Sequence, residues 1–278
     1  MANCVETTDM KEEAYPVKYL PDNIRKMISG KKYTTDSIGM SDSQVYMFDD
    51  SVLKIEKQRK ENDDTVEMMR WLNGRIPVPR VLCYETDEKV QYLLMSRING
   101  RMACDTYYLE HPEELISLLA KAIKLLWSID ISECPRHRGL ETELAEAKER
   151  VRLGLVDVDD AEPETFGKEG FENAKELLSR LEDNKPEMEP VLSHGDFCLP
   201  NIFFDNGDIS GFIDLNYTAV ADKWKDIALC YRSLKHNIDG SYGGKVYANA
   251  NPDMLFEKLE IEPDWNKIRY YTLMDELF

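Results

Sequence analysis

The chain is short of histidine, of basic charge and of long apolar runs, and each shortage argues against a class of function. Four histidines and six scattered cysteines (Cys4, Cys83, Cys104, Cys134, Cys198 and Cys230), with no CxxC pair, do not make a zinc site. Cysteines spread this way suit reduced thiols in a cytoplasm. Lysine and arginine total 35 against 53 aspartates and glutamates, a net charge of -18, so no basic face is expected and nucleic acid is an unsuitable partner. No apolar stretch reaches membrane-spanning length, and the opening MANCVETTDMKEEAYPVKYL is too polar and acidic for a signal peptide. No internal repeat is visible. What the charge does favour is a cationic partner, with simple solubility as the ordinary alternative.

The 278 residues exceed the usual size of one compact core, which points to one large bilobal domain or to two domains. PDNIRKMISG reads as a short helix closed by Gly30. KYTTDSIG, QVYMFDD and SVLKIEK read as strands, with turns at Gly39 and at Asp49-Asp50. A helix follows in KQRKENDDTVEMMRWLNG, the prolines of IPVPR forbid helix, and RVLCYE and VQYLLMSR are two further strands. Beyond Asn99-Gly100 the period changes to that of helices. HPEELISLLAKAIKLLWSID carries Pro112 and two glutamates at its start. ETELAEAKERVRLGL, GFENAKELLSRLED, DKWKDIALCYRSLKHN, NPDMLFEKLE and PDWNKIRYYTLMDELF are helical as well, and VDVDDAEPETFGKEG is an acidic loop. A strand-rich part followed by a helical part predicts an α+β, two-lobed fold and not alternating βαβ units.

The chemistry lies in SHGDFCLPNIFFDNGDISGFIDL, Ser193 to Leu215. Asn206-Gly207 between two apolar runs is a hairpin signal. A hairpin joins its outer ends, which here are Asn201 and Asp214. One carboxylate and one amide oxygen suit Mg²⁺, a cation that takes its other ligands from water and phosphates. Asp196 precedes them on a loop, placed to meet a substrate hydroxyl. His-Gly-Asp, four residues, Asn, then an aspartate flanked by apolar residues is the spacing of a kinase catalytic segment. Such chemistry calls for a phosphate-binding lysine on an early strand, and SVLKIE supplies Lys54 on the same face as Val52.

With these residues in hand, the chain resembles the aminoglycoside 3′-phosphotransferases, a branch of the protein-kinase-like fold. The likeness includes GMS at Gly39–Ser41, LKI around Lys54, WLNGRIPVPRVL from Trp71, LLMS at Leu93–Ser96 and SIDISECP from Ser128. It continues through SHGDFCLPNIF, GFIDL, ADKWKDIAL, PDWNKIRYY and the terminal DELF. The resemblance implies a bilobal fold with an N-terminal antiparallel-sheet lobe and a larger, mostly helical C-terminal lobe. It places nucleotide binding in residues 1–97 and catalysis and substrate binding in 98–278. It implies ATP as donor, GTP as an alternative donor, Mg²⁺, and a cationic aminoglycoside as acceptor, with antibiotic resistance as the outcome. Asp196 would be the catalytic base, with Asn201 and Asp214 on the metal. Lys54 and the Ser41 loop would hold the phosphates, and Met95, Ser96 and Ile98 the adenine. Asp226 would brace the catalytic loop. Asp160, Glu162 and Glu164 of the acidic loop, with Asp275, Glu276 and the Phe278 carboxylate, would hold the substrate ammonium groups.

The departures from the family pattern are specific. Asn216-Tyr217 stand where Gly-Arg is common, His236 and Asn237 where some members carry acids, and Val52 where some carry an aromatic. The glutamate expected to pair with Lys54 falls on Thr65, leaving Glu61 and Asp64 as candidates. Two other readings stay open: a kinase-fold nucleotide-binding protein with little turnover, and a kinase for another amine-bearing alcohol.

Overall fold

A computed structural model describes residues 20–36, 43–87, 89–159, 161–168, 170–242 and 244–278, with Lys60 and Glu61 as backbone only. The Gly39–Ser41 loop, Asp160 and the Glu61 side chain, all singled out in the sequence, lie outside the described residues.

The first part is an antiparallel sheet of β1 (Thr34–Asp36), β2 (Gln44–Met47), β3 (Ser51–Lys57), β4 (Val81–Thr86) and β5 (Val90–Ser96), in the order β1-β2-β3-β5-β4. Helix α1 (Asp22–Ile28) packs Ile24 and Ile28 against Tyr46, Phe48, Leu53, Tyr92 and Leu94. Helix α2 (Lys60–Leu72) belongs to the larger core with Val66, Met68, Met69 and Leu72. Leu93 joins the α2 side and Leu94 the α1 side. Neighbours on a strand point to opposite faces, so β5 is covered on both sides, and that is why its sequence is apolar without alternation.

The remainder begins with the short strand β6 (Arg101–Met102) and the short helix α3 (Thr106–Glu110). It continues with α4 (Pro112–Trp127), α5 (Leu140–Leu153) and α6 (Ala174–Asp183). Strand β7 (Pro190–Ser193), the hairpin β8 (Ile202–Asp205) and β9 (Asp208–Phe212), and β10 (Ala219–Asp222) follow. Helices α7 (Lys223–Asp239), α8 (Met254–Leu259) and α9 (Trp265–Asp275) complete it. Pro112 opens α4 with Glu113 and Glu114 in its first turn, where a missing N–H costs nothing and negative charge meets the positive helix end. The core of this part is built on fully buried leucines and isoleucines of α4 and on Ile227, Ala228 and Leu234 of α7. No helix among the described residues is long and apolar enough to cross a membrane.

Every helix and strand read from the sequence within the described residues is present. Strands β6, β7 and β10 and helix α3 were not read. They run two to five residues, too short to show a period, and the strands exist because distant partners pair with them.

Candidate active site

Two antiparallel ladders build the site. Strand β7 pairs with β10 so that Ser193 faces Ala219, and β8 pairs with β9 so that Ile202 faces Phe212. The segments between them, 194–201 and 213–218, are therefore held side by side at both ends. The hairpin turns at Asn206 (φ 50) and Gly207 (φ 74), both left-handed, as an Asn-Gly turn requires. Ile213 N–H donates to Asn201 O at 2.9 Å, so the outer ends of the hairpin meet, and Asp214 lies one residue beyond.

Gly195 makes the close approach possible. Its φ is +82°, and a Cβ there would sit 2.4 Å from Tyr217 O. His194 ties the two segments together. Its Nδ1 accepts the Asp196 N–H at 3.3 Å and its Nε2 lies 2.9 Å from Ile213 O. A carbonyl can only accept, so Nε2 carries the proton and Nδ1 does not.

Asp226, fully buried in the first turn of α7, supports the same loop from below. It accepts from Ser193 Oγ at 2.9 Å, His194 N at 2.8 Å and Gly195 N at 2.9 Å. Removing this carboxylate leaves the Ser193 hydroxyl and the His194 N–H without this acceptor, each worth about 1–3 kcal/mol, while Gly195 N–H keeps Ser193 Oγ at 3.1 Å. Asp226→Ala is therefore expected to destabilise the protein by roughly 3–5 kcal/mol after partial relaxation. An unchanged urea midpoint and slope would contradict this brace.

Asp196 is half-buried at the mouth of these segments. Asn201 Nδ2 donates to Asp196 Oδ2 at 2.9 Å and to Asp196 O at 3.0 Å. Burial pushes the Asp196 carboxyl above the usual aspartate range, and the negative charges of Asp275 and Asp214 push it the same way. The chain end and the hairpin end thus both lie within electrostatic reach of Asp196.

Asp214 is exposed and left-handed, with φ 55 and ψ 64. Asn216 Nδ2 donates to its Oδ1 at 2.8 Å, and the Asn216 carbonyl accepts from Arg136 Nη1. The Asn201 amide nitrogen is committed to Asp196, which leaves its side-chain oxygen to offer a cation. Among the described residues no group of three or more His, Cys, Asp or Glu side chains is placed to hold a metal ion. The Asn201–Asp214 pair fits a cation that brings its remaining ligands with it, as Mg²⁺ on nucleotide phosphates does.

Val52, Lys54 and Glu56 share one face of β3, and Lys54 Nζ pairs with Glu56 Oε2 at 3.2 Å. Of the two α2 candidates, the Glu61 side chain lies outside the described residues, and Glu56 is an acid the sequence pattern had not singled out. Residues two apart on a strand stand side by side, which brings Glu56 to Lys54, and Gln91 across the ladder donates to the same carboxylate. Asp64 instead lies within electrostatic range of Arg136. Met95 faces Val52 across β3–β5. Ser96 N–H donates to Arg80 O at 2.9 Å, and Ser96 Oγ accepts from Arg80 N at 2.8 Å. Ile98 follows and packs on Gly211 of β9, where an added Cβ would come within 2.7 Å of its side chain.

The acidic chain end is anchored by two arginines on separate helices, which no local pattern assigns to it. Arg232 of α7 pairs with Asp275 and lies 3.5 Å from Glu276 Oε1. Arg150 of α5 donates through Nε to Leu277 O at 2.8 Å and through Nη2 to Phe278 O. These cations offset the unfavourable meeting of acids with a helix C-terminus. The Glu276 side chain is 5% exposed, and its Oε2 accepts the Glu162 N–H at 3.2 Å. Burial pushes its carboxyl up to about 7 against the pull of Arg232. Glu162 also reaches His236 Nδ1 at 3.3 Å. A cavity of about 670 Å³ is lined by Glu162, Glu164, Arg232 and His236 among others, so the acidic loop and α7 enclose one space.

The comparisons agree with this geometry. The profile of the phosphotransferase enzyme family matches residues 33–259. An aminoglycoside 3′-phosphotransferase of Enterococcus faecalis is 39% identical over 267 residues, 92% of this chain and 97% of that protein. The crystal structure of an aminoglycoside-3′-phosphotransferase of type VIII superposes with a TM-score of 0.75 at 26% identity, covering 92% of this chain and 97% of that one. A Streptomyces rimosus aminoglycoside phosphotransferase, APH(3″)-Id in complex with ADP and streptomycin, superposes at 0.76 with 23% identity, covering 91% and 95%, and speaks for the fold alone. The bilobal α+β frame, with Asp196, Asn201 and Asp214 brought together between its two ladders, coincides with near full-length similarity, and the chain belongs to the aminoglycoside 3′-phosphotransferases of the phosphotransferase enzyme family.

Proposed function

We propose that this chain transfers the γ-phosphoryl group of ATP to the 3′-hydroxyl of an aminoglycoside, with Asp196 as the base. The observation that carries the reading is the meeting of Asp196, Asn201 and Asp214 between two ladders. The acceptor hydroxyl gives its proton to an Asp196 carboxylate oxygen as its own oxygen attacks the γ-phosphorus. The bond from that phosphorus to the β,γ-bridging oxygen breaks, and ADP leaves with the bond's electron pair. Burial of Asp196 brings its basicity nearer to neutral pH, which suits general-base work. Asn201 and Asp214 would hold Mg²⁺, which in kinases neutralises charge on the phosphates. Lys54 would hold the α- and β-phosphates, as would the loop that carries Ser41. Met95 would border the adenine, and the Ser96 carbonyl and Ile98 N–H would read its edge. GTP is a second donor to be tried.

Residues 1–97 would form the nucleotide lobe and 98–278 the catalytic and substrate lobe, with the change falling just after β5. ATP as donor places the reaction in the cytoplasm, and modification of the drug would give resistance. Purified protein incubated with ATP, Mg²⁺ and kanamycin should yield a monophosphorylated product carrying phosphorus at the 3′ position by NMR. Phosphate at another hydroxyl would overturn the regiochemistry.

Substrate ammonium groups would be met by Asp275, Glu276 and the Phe278 carboxylate, with Asp160, Glu162 and Glu164 of the acidic loop. Glu276 gives this a pH signature. Its carboxyl is raised to about 7, so acidification through neutrality protonates it and removes its attraction for a cation. Kanamycin affinity measured by calorimetry should weaken as pH falls from about 8 to about 6, although the drug itself gains charge over that range. Glu276→Gln should flatten the dependence. An identical pH slope in both proteins would contradict the assignment.

A further inference from the structure

Asn216 lies next to the Asp214 carboxylate and is held on three sides. Its Nδ2 donates to Asp214 Oδ1 at 2.8 Å, its Oδ1 accepts from Thr65 Oγ1 of α2 at 3.4 Å, and its backbone carbonyl accepts from Arg136. Thr65 is buried, while Asp214 is exposed. A buried helix position is therefore linked, through one amide, to a solvent-facing carboxylate. The left-handed backbone of Asp214 offers that carboxylate no cap interaction of its own, so its orientation depends on this neighbour. The amide is neutral. It fixes one carboxylate oxygen without adding a charge of its own beside Asp214.

We propose that Asn216 is a positioning residue: it orients Asp214 for the metal-bound nucleotide and ties that orientation to the seating of α2. The inference rests on the reading of Asp214 as a metal ligand. Outer partners of this kind typically change metal affinity about 10–100-fold when removed, because they fix the direction of the ligating oxygen.

The test compares binding of a non-hydrolysable ATP analogue by calorimetry, with Mg²⁺ and with EDTA, in wild type, Asn216→Ala and Asn216→Ser. The wild type should gain affinity from Mg²⁺. In Asn216→Ala that gain should shrink about tenfold. Its affinity in EDTA should stay within about twofold of wild type, because the amide is proposed to act only through the metal ligand. Serine keeps a donor two residues from Asp214 and should recover most of the gain. If the alanine variant does not fold, Asn216→Leu, which keeps the volume, carries the same comparison. A full Mg²⁺ gain in the variants lacking the amide overturns the inference, as does an equal loss with and without Mg²⁺, which would mark a purely structural role. A wild type with no Mg²⁺ gain overturns the metal assignment of Asp214 as well.

Discussion

Asp196→Ala is expected to lower kcat by about 10²–10⁴-fold, the range supplied by a positioned general base, while the affinity for ATP stays near wild type. The separation follows from the geometry. Asp196 is held by Asn201 Nδ2 at 2.9 Å, and its loop is fixed by His194 and Asp226, so removing its carboxylate leaves the frame standing. Lys54 and the Asp214 end of the hairpin, which are proposed to meet the nucleotide, do not depend on it. A pH profile adds a second arm. The Asp196 carboxyl is raised by burial and by Asp275 and Asp214, so the acid limb of kcat/KM should fall at a pH above the usual aspartate range. A folded Asp196→Ala protein with near-wild-type turnover would contradict the assignment.

Asp214→Asn should do more damage to nucleotide-dependent activity than Asn201→Ala. A loss beyond the roughly 10–100-fold typical of a partner outside the coordination sphere is expected, because Asp214 is the charged member of the pair. Asparagine keeps the size of the side chain and can still meet Asn216 through its oxygen, so the change isolates the charge. The half-saturating Mg²⁺ concentration should rise with it. Unchanged Mg²⁺ titrations would mean that the meeting of hairpin ends, secured by Ile213 N–H on Asn201 O, does not serve a metal.

What could be read from the sequence followed local rules. The Asn206-Gly207 turn fixed which residues the hairpin would join, and helical periodicity placed α4 through α9. What escaped depends on distant partners. Strands β7 and β10 are four residues each and are strands because they pair with one another. Lys54 and Glu56 lie on one strand face, so their pairing follows from alternation alone, although a kinase pattern points to an acid on α2 instead. Arg150 and Arg232 sit on separate helices, and neither helix pattern says that both reach the chain end. Asn216 stood out only as a departure. Its link from Thr65 to Asp214 spans residues far apart in the chain.

The most direct test of the central claim is a coupled ATPase assay on a panel of aminoglycosides that differ at the 3′ position. ADP release should require the drug and be fast with kanamycin. It should be absent with an otherwise similar compound that lacks the 3′-hydroxyl, and Asp196→Ala should slow it by about 10²–10⁴-fold. Equal turnover on the 3′-deoxy compound, or no ADP release with any member of the panel, would contradict the account.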